Sequence, residues 1–304
     1  MTQPLLAILA DTYSDDPRIA IRSASAAGFN GLLFDPANPV IDLTALSASG
    51  VREFRHILSA AGVKLAGLRA SLGPKGLTPG ADLDRQLATI DKILRTAADL
   101  HADVVCLDTG PLPADNQPPP PRPAITPQQA GLILIPTLSA TPPESTQLPS
   151  SPANTDLPFI AQVDSALAEI GNRADRYGIP LALHSELSGF ASLIHALRSV
   201  DCPSFGVNLD PVAMLRDEWD MDQVFSAAGP SIRHLRAHDA ILGDRHRTQP
   251  ASIGTGAVNW PQLFSNLRHA DYHGWITLDT APLPNRPAAA TAGRGYLLKL
   301  WRSL

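Results

Sequence analysis

The chain is expected to fold as an α/β protein, a single-domain (β/α)8 TIM barrel, and three observations predict this. Short apolar runs alternate through the chain with segments whose apolar residues recur at spacings of three and four, the signature of strands followed by amphipathic helices. Eight such units occur, which favours a closed barrel over an open doubly wound sheet. Several late strands end in polar, chemically capable residues, as the rim of a barrel active site does: Leu181-Ala-Leu-His-Ser-Glu186, Phe205-Gly-Val-Asn-Leu-Asp210, Ile232-Arg-His-Leu-Arg-Ala-His-Asp239 and Trp275-Ile-Thr-Leu-Asp279. No Gly-x-Gly-x-x-Gly or Walker motif follows the first strand, which argues against a Rossmann fold.

In chain order, the strands are expected at Leu5–Ala10, Gly31–Phe34, Lys64–Leu68, Asp103–Leu107, Pro180–Leu183, Phe205–Leu209, Ile232–Ala237 and Trp275–Leu278. Between them the apolar spacing predicts helices at Asp16–Ala27, Gly50–Ala61, Asp84–Leu100, Phe159–Tyr177, Ser188–Val200, Asp222–Ala228, Trp260–Ala270 and Ala288–Trp301. Gly28, Gly62 and Gly178 each stand where a helix must stop and turn into the next strand. Asn259 before Trp260 and Pro261 is a helix N-cap with proline just inside. Residues 111–157 break the rhythm with Pro119-Pro-Pro121 and many Ser, Thr and Gln, and read as an insertion after the fourth strand. Its lone apolar run, Gly131–Ile135, would pack on the barrel, cover the rim or meet another subunit of a homo-oligomer.

Composition narrows the function classes. The chain has 304 residues, is 44% hydrophobic and carries a net charge of −5, so it lacks the basic footprint of a nucleic-acid binder. Aromatics are 5%, too few for base-stacking platforms. Cys106 and Cys202 make neither a disulfide framework nor a zinc knuckle, which fits a reducing, cytoplasmic location. The apolar run at Leu5–Ala10 is too short for a signal segment or a membrane span.

The pattern of eight units is joined by Leu209-Asp-Pro211, His238-Asp239 closing the seventh strand, Gly254-x-Gly-x-x-x-Trp260 and Tyr272-x-Gly-Trp275. Together these resemble the xylose-isomerase-like superfamily, which holds sugar (phosphate) isomerases and epimerases and family 2 AP endonucleases. The resemblance implies a divalent metal (Mn²⁺, Mg²⁺ or Zn²⁺) held by Glu, Asp, His and Glu from strands five to eight. Carried onto this chain, those positions are His184, Asp210, Arg236 and Asp279, so one ligand is retained and one replaced conservatively. A His that often follows the strand-six Asp by three residues falls on Ala213. A guanidinium ~4 Å from a dication costs ~8 kcal/mol at an effective dielectric of ~20.

Two sites remain open on the sequence. Residues two apart on a strand share a face, so Glu186 and His238 lie on the same side as His184 and Arg236, and a shifted metal site of Glu186 or His184, Asp210, His238 and Asp279 would form higher on the rim. Alternatively Arg236, His184 and His238, with Arg69 and Arg245, would take an anionic ligand, or Arg236 would neutralise Asp210 and Asp279 as a structural ion pair. If the protein is an enzyme, His184 or Glu186 and Asp279 are the expected acid and base of a proton transfer next to a carbonyl. Arg236 or His238 would stabilise the enediolate oxygen, and Asp210, Asp108 and Arg69 would contact a sugar or sugar-phosphate ligand. The alternative is a non-catalytic binding protein for an anionic sugar-like ligand. A rim poor in His and Glu on an acidic chain argues against the endonuclease chemistry. Asp11 and Asp35 would line the rim or cap helices, Cys106 reads as core, and Trp260 and Trp275 are expected to pack the last unit.

Overall fold

Eight parallel strands close into one barrel in this computed structural model, which describes residues 3–113, 157–244 and 247–304. The barrel strands are β1 (Leu5–Leu9), β2 (Gly31–Phe34), β3 (Lys64–Ser71), β4 (Val104–Asp108), β5 (Leu181–His184), β6 (Phe205–Leu209), β7 (Ile232–Ala237) and β10 (Trp275–Leu278). A short antiparallel hairpin, β8 (Asp239–Leu242) with β9 (Thr248–Ala251), intervenes after β7. Around the barrel the order is β1-β10-β7-β6-β5-β4-β3-β2, so β10 closes on β1 with Leu5 opposite Trp275 and Ile8 opposite Leu278. Strands four places apart in that ring face each other across the lumen: β10 faces β4, β7 faces β3, and β6 faces β2.

The helices that link them are α1 (Pro17–Ala26), α2 (Ala48–Ala60), α3 (Leu83–Leu100), α4 (Leu157–Tyr177), α5 (Phe190–Val200), α6 (Pro211–Arg216), α7 (Met221–Ala228), α8 (Trp260–His269) and α9 (Arg286–Ser303). Side-chain caps start most of them: Asp16, Ser47, Asp82, Asp220, Asn259 and Asn285 each accept a backbone N–H of the first turn. Alternation along each strand divides the apolar residues into two cores. The outward faces, such as Leu6, Ile8, Leu32, Leu181, Leu183, Leu209 and Leu235, are fully or almost fully buried under the helices. The lumen holds a smaller cluster of Leu9, Leu33, Val104, Cys106 and Ala182, above a floor of Ala7, Ala66 and Trp275.

The eight expected strands all form, with ends shifted by a few residues. β3 runs on to Ser71, so Arg69 stands inside that strand rather than after it. The hairpin and α6 were not expected. Asp210 caps α6 and Pro211 opens it, a helix start concealed by its short length. Trp275, expected to pack the last unit, stands in the last barrel strand and points inward. It lies across the lumen floor and donates from Nε1 to Asp103 Oδ2 at 2.7 Å. Gly31 makes room for it, since a Cβ there would stand 2.9 Å from the indole ring. Trp260 does pack the last unit and is fully buried against Phe264. The 111–157 insertion, including Gly131–Ile135, falls outside the described residues apart from 111–113 and Leu157.

Candidate functional site

The C-terminal ends of the strands surround a cavity of ≈ 460 Å³. It is lined by inward-facing residues from seven of the barrel strands or their ends: Asp35, Arg69, Ser71, Cys106, Asp108, His184, Glu186, Asn208, His234, Arg236, Thr277 and Asp279. This is the end of the barrel at which such folds carry their chemistry. Of the expected site residues, Arg69, Asp108, His184, Glu186, Arg236 and Asp279 line it. Asp210 and His238 stand directly behind, joined to each other and, through Asp210, to Arg236. Arg245 lies outside the described residues. Of the two early aspartates, Asp35 lines the cavity, 3.5 Å from Arg69, and Asp11 does not.

Arg236 organises one wall. Its Nε donates to Asp279 Oδ2 at 2.8 Å, and Nη2 lies 2.7 Å from the same oxygen. Its Nη1 donates to Glu186 Oε1 at 3.1 Å and reaches Asp210 Oδ2 at 3.5 Å. Asp210 Oδ1 also accepts from His238 Nε2 at 2.7 Å and from the backbone N–H groups of Val212 and Ala213, both at 2.9 Å. Burial alone would push the Asp210 and Asp279 carboxyls up. The neighbouring charges of His238 and Arg236, with backbone N–H bonds, hold both below the usual carboxylate range instead. Burial would also favour loss of the Arg236 proton, but Asp279 and Asp210 hold the guanidinium firmly charged.

A second hydrogen-bonded row runs along the barrel wall one layer below, over the neighbouring strands β10, β7, β6 and β5. Thr277 Oγ1 is 2.7 Å from His234 Nε2, His234 Nδ1 is 2.7 Å from Asn208 Oδ1, and Asn208 Nδ2 is 3.1 Å from His184 Nδ1. Burial lowers the pKa of His234 to about 3 and lowers that of His184 as well, so both rings are neutral at pH 7. With the Asn208 amide oriented this way, His234 carries its proton on Nδ1 and accepts from Thr277. His184 Nδ1 accepts from Asn208, which places the His184 proton on Nε2. A neutral His184 on the cavity wall is therefore a hydrogen-bond donor toward a ligand.

Cys106 also lines the cavity, with burial pushing its thiol up, so it is a neutral wall residue and not a nucleophile. Asn208, His234 and Thr277 were not singled out from the sequence. Each stands two residues before a rim residue that was, Asp210, Arg236 and Asp279, and strand alternation was the signal that would have found them.

The family description "Xylose isomerase-like TIM barrel" matches residues 21–300. The chain belongs to that family. Among curated proteins it is 28% identical over 118 residues to a probable ketose 3-epimerase of Synechocystis sp., covering 39% of this chain and 36% of that protein. It is 27% identical over 96 residues to hydroxypyruvate isomerase of Escherichia coli, covering 32% of this chain and 34% of that one. The chain thus matches about a third of the length of each of these relatives. Solved structures align over nearly the whole chain. A xylose isomerase domain protein from Planctomyces limnophilus gives a TM-score of 0.71 at 14% identity, covering 99% of this chain and 98% of that one. D-psicose 3-epimerase from Clostridium cellulolyticum H10, solved with D-tagatose, gives 0.67 at 13% identity, covering 99% of both chains. A family protein from Mycobacterium smegmatis, solved in complex with magnesium, gives 0.66 at 18% identity, covering 99% of this chain and 97% of that one. At these identities the likeness speaks for the fold.

Family members commonly hold a divalent metal at the strand ends. The residues here do not fit one. Arg236 stands among the carboxylates, and no group of three His, Cys, Asp or Glu side chains converges on a metal position among the described residues.

Proposed function

We propose that the protein is a sugar isomerase or epimerase that moves a proton on carbon next to a carbonyl. One observation carries this reading: carboxylates and neutral or cationic hydrogen-bond donors share one cavity at the catalytic end of a family barrel. The likeness to a ketose 3-epimerase and to hydroxypyruvate isomerase supports the same reaction class.

The chemistry asks for a base, a proton donor and a place for negative charge. Glu186 is the freer carboxylate, 57% exposed at its side chain and bonded to Arg236 through Oε1. It takes the proton from the carbon beside the carbonyl, and the electron pair moves onto the carbonyl oxygen to give an enediolate. His184, donating from Nε2 as a neutral imidazole, and Arg236 stabilise that oxygen. Asp279, bonded to the same guanidinium through Oδ2, is the second carboxylate at this wall and takes a proton from a substrate hydroxyl. Return from Glu186 to the neighbouring carbon isomerises the sugar; delivery to the opposite face of the original carbon by Asp279, once protonated from a substrate hydroxyl, inverts it, and Glu186 returns its proton to that oxygen. The reaction is redox-neutral and consumes no co-substrate.

The lining also bears on the substrate class. Asp35, Asp108, Glu186 and Asp279 face it against Arg69 and Arg236, and both guanidinium groups already lie beside carboxylates. An uncharged polyhydroxy ketone suits this wall better than a sugar phosphate, whose charge would meet excess carboxylate. The test is incubation with a panel of ketoses and ketose phosphates, with products read by NMR. The expected result is interconversion of an uncharged ketose with its epimer or aldose, lost in Glu186→Gln. Tight binding of an anionic sugar with no turnover of any sugar in the panel would instead support a binding protein.

A further inference from the structure

We infer that Arg236 is the built-in cation of this site: its guanidinium occupies the place among Asp279, Asp210 and Glu186 that a divalent metal would take, and it excludes the metal. The contacts carry the argument. Five N–H groups radiate from a guanidinium in a plane. Here Nε and Nη2 are spent on Asp279 Oδ2, and Nη1 on Glu186 Oε1 and Asp210 Oδ2. The oxygens are spent as well. Asp210 Oδ1 takes the N–H groups of Val212, Ala213 and His238, and Asp279 Oδ1 takes that of Ala281 at 3.0 Å. Mg²⁺ or Mn²⁺ needs near-octahedral oxygen ligation at about 2.1 Å. To reach it, an ion would have to break the Asp279–Arg236 contacts and face a displaced guanidinium on the same wall. His238 Nε2 is likewise turned to Asp210 Oδ1, at 2.7 Å, and not toward an open coordination position.

The arrangement also has a use. The guanidinium has more N–H groups than its contacts consume, and a remaining N–H on Nη2 can meet a substrate oxygen where a metal would otherwise polarise it. That last step rests on the proposed reaction; the exclusion of metal does not.

The experiment is a Mn²⁺ titration without substrate, following the electron paramagnetic resonance signal of the free ion. The wild-type chain should leave that signal undiminished, or deplete it only in a way that Asp210→Asn and Asp279→Asn leave unchanged, which places the ion elsewhere. Arg236→Gln should bind Mn²⁺ on the order of 100-fold more tightly than wild type. Adding Asp279→Asn to that variant should abolish the gain. Arg236→His serves as a second variant if the glutamine does not fold. About one Mn²⁺ per wild-type chain, lost on Asp210→Asn or Asp279→Asn, would overturn the inference. So would a folded Arg236→Gln or Arg236→His variant with no gain in Mn²⁺ affinity. No sugar enters the titration, so its failure is separate from failure of the proposed reaction.

Discussion

Two clusters of buried aspartate sit side by side at the end of β7, and they are satisfied in opposite ways. Asp239, 2% exposed, accepts from the backbone N–H groups of Ala240, Gly254, Gly256 and Val258 and from Trp260 Nε1. Every donor comes from the main chain or from an indole that is itself fully buried, and the carboxylate does not line the cavity at the strand ends. The result is a knot that ties the start of the hairpin to the loop before α8. Asp279, with 3% of its side chain exposed, is satisfied chiefly by one long side chain, Arg236, and it lines the cavity. Fixed donors make a carboxylate structural, whereas a guanidinium beside a cavity leaves it able to exchange partners with a ligand.

Breaking the first cluster should have the largest effect. Asp239→Ala strands several buried N–H groups and should cost ~4 kcal/mol or more of stability, with Asp239→Asn costing roughly half as much, both read by urea unfolding. Asp279→Asn should reverse the balance. It should lower turnover of any substrate by ~100-fold or more while costing only ~1–2 kcal/mol, because Arg236 keeps Glu186 and Asp210 as partners. A large loss of stability with unchanged turnover would make Asp279 as structural as Asp239.

The row beneath the site sharpens the comparison through pH. His234 has a folded-state pKa of about 3 against an ordinary value of 6.5. Between those values the unfolded chain binds the proton that the folded chain refuses, so stability falls as pH drops through this window. The slope is roughly 1.4 kcal/mol per pH unit for this one group. His234→Gln should flatten it by that amount in denaturant curves taken between about pH 4 and 6. Asp210 and Asp279 act in a lower window: their depressed folded-state values add stability that is present above the ordinary carboxylate value of 3.8 and is lost as pH falls through their folded-state range. The smallest effect belongs to the surface. Arg18 and Glu53 make a 2.6 Å ion pair with both side chains more than half exposed, and Arg18→Ala should change stability by less than ~0.5 kcal/mol.

The comparison also explains what the sequence made legible. Strands showed because each is a short apolar run bounded by turn residues, and the barrel followed from their number. His184, Glu186, Asp108, Arg236 and Asp279 were found because they end those runs. The row of Asn208, His234 and Thr277 was concealed because its members lie inside strands, where a polar residue between apolar neighbours gives no hint of which face it takes until the register is known. The role of Asp239 was concealed differently. His238-Asp239 and Gly254-x-Gly-x-x-x-Trp260 were read as separate family marks, and only the hairpin between them brings the carboxylate to its donors. Where Arg236 would point was undecided because two ionic arrangements of similar charge compete. Three carboxylates around one guanidinium settle its position in the structure.

The most direct test of the account is hydrogen exchange at substrate carbon. Ketoses incubated with the protein in D2O should gain deuterium at the carbon beside the carbonyl, even where the net conversion is small. Glu186→Gln should stop this exchange and Asp239→Asn, where folded, should not. Absence of exchange from every ketose tested with folded wild-type protein, or exchange undiminished by Glu186→Gln, would contradict it.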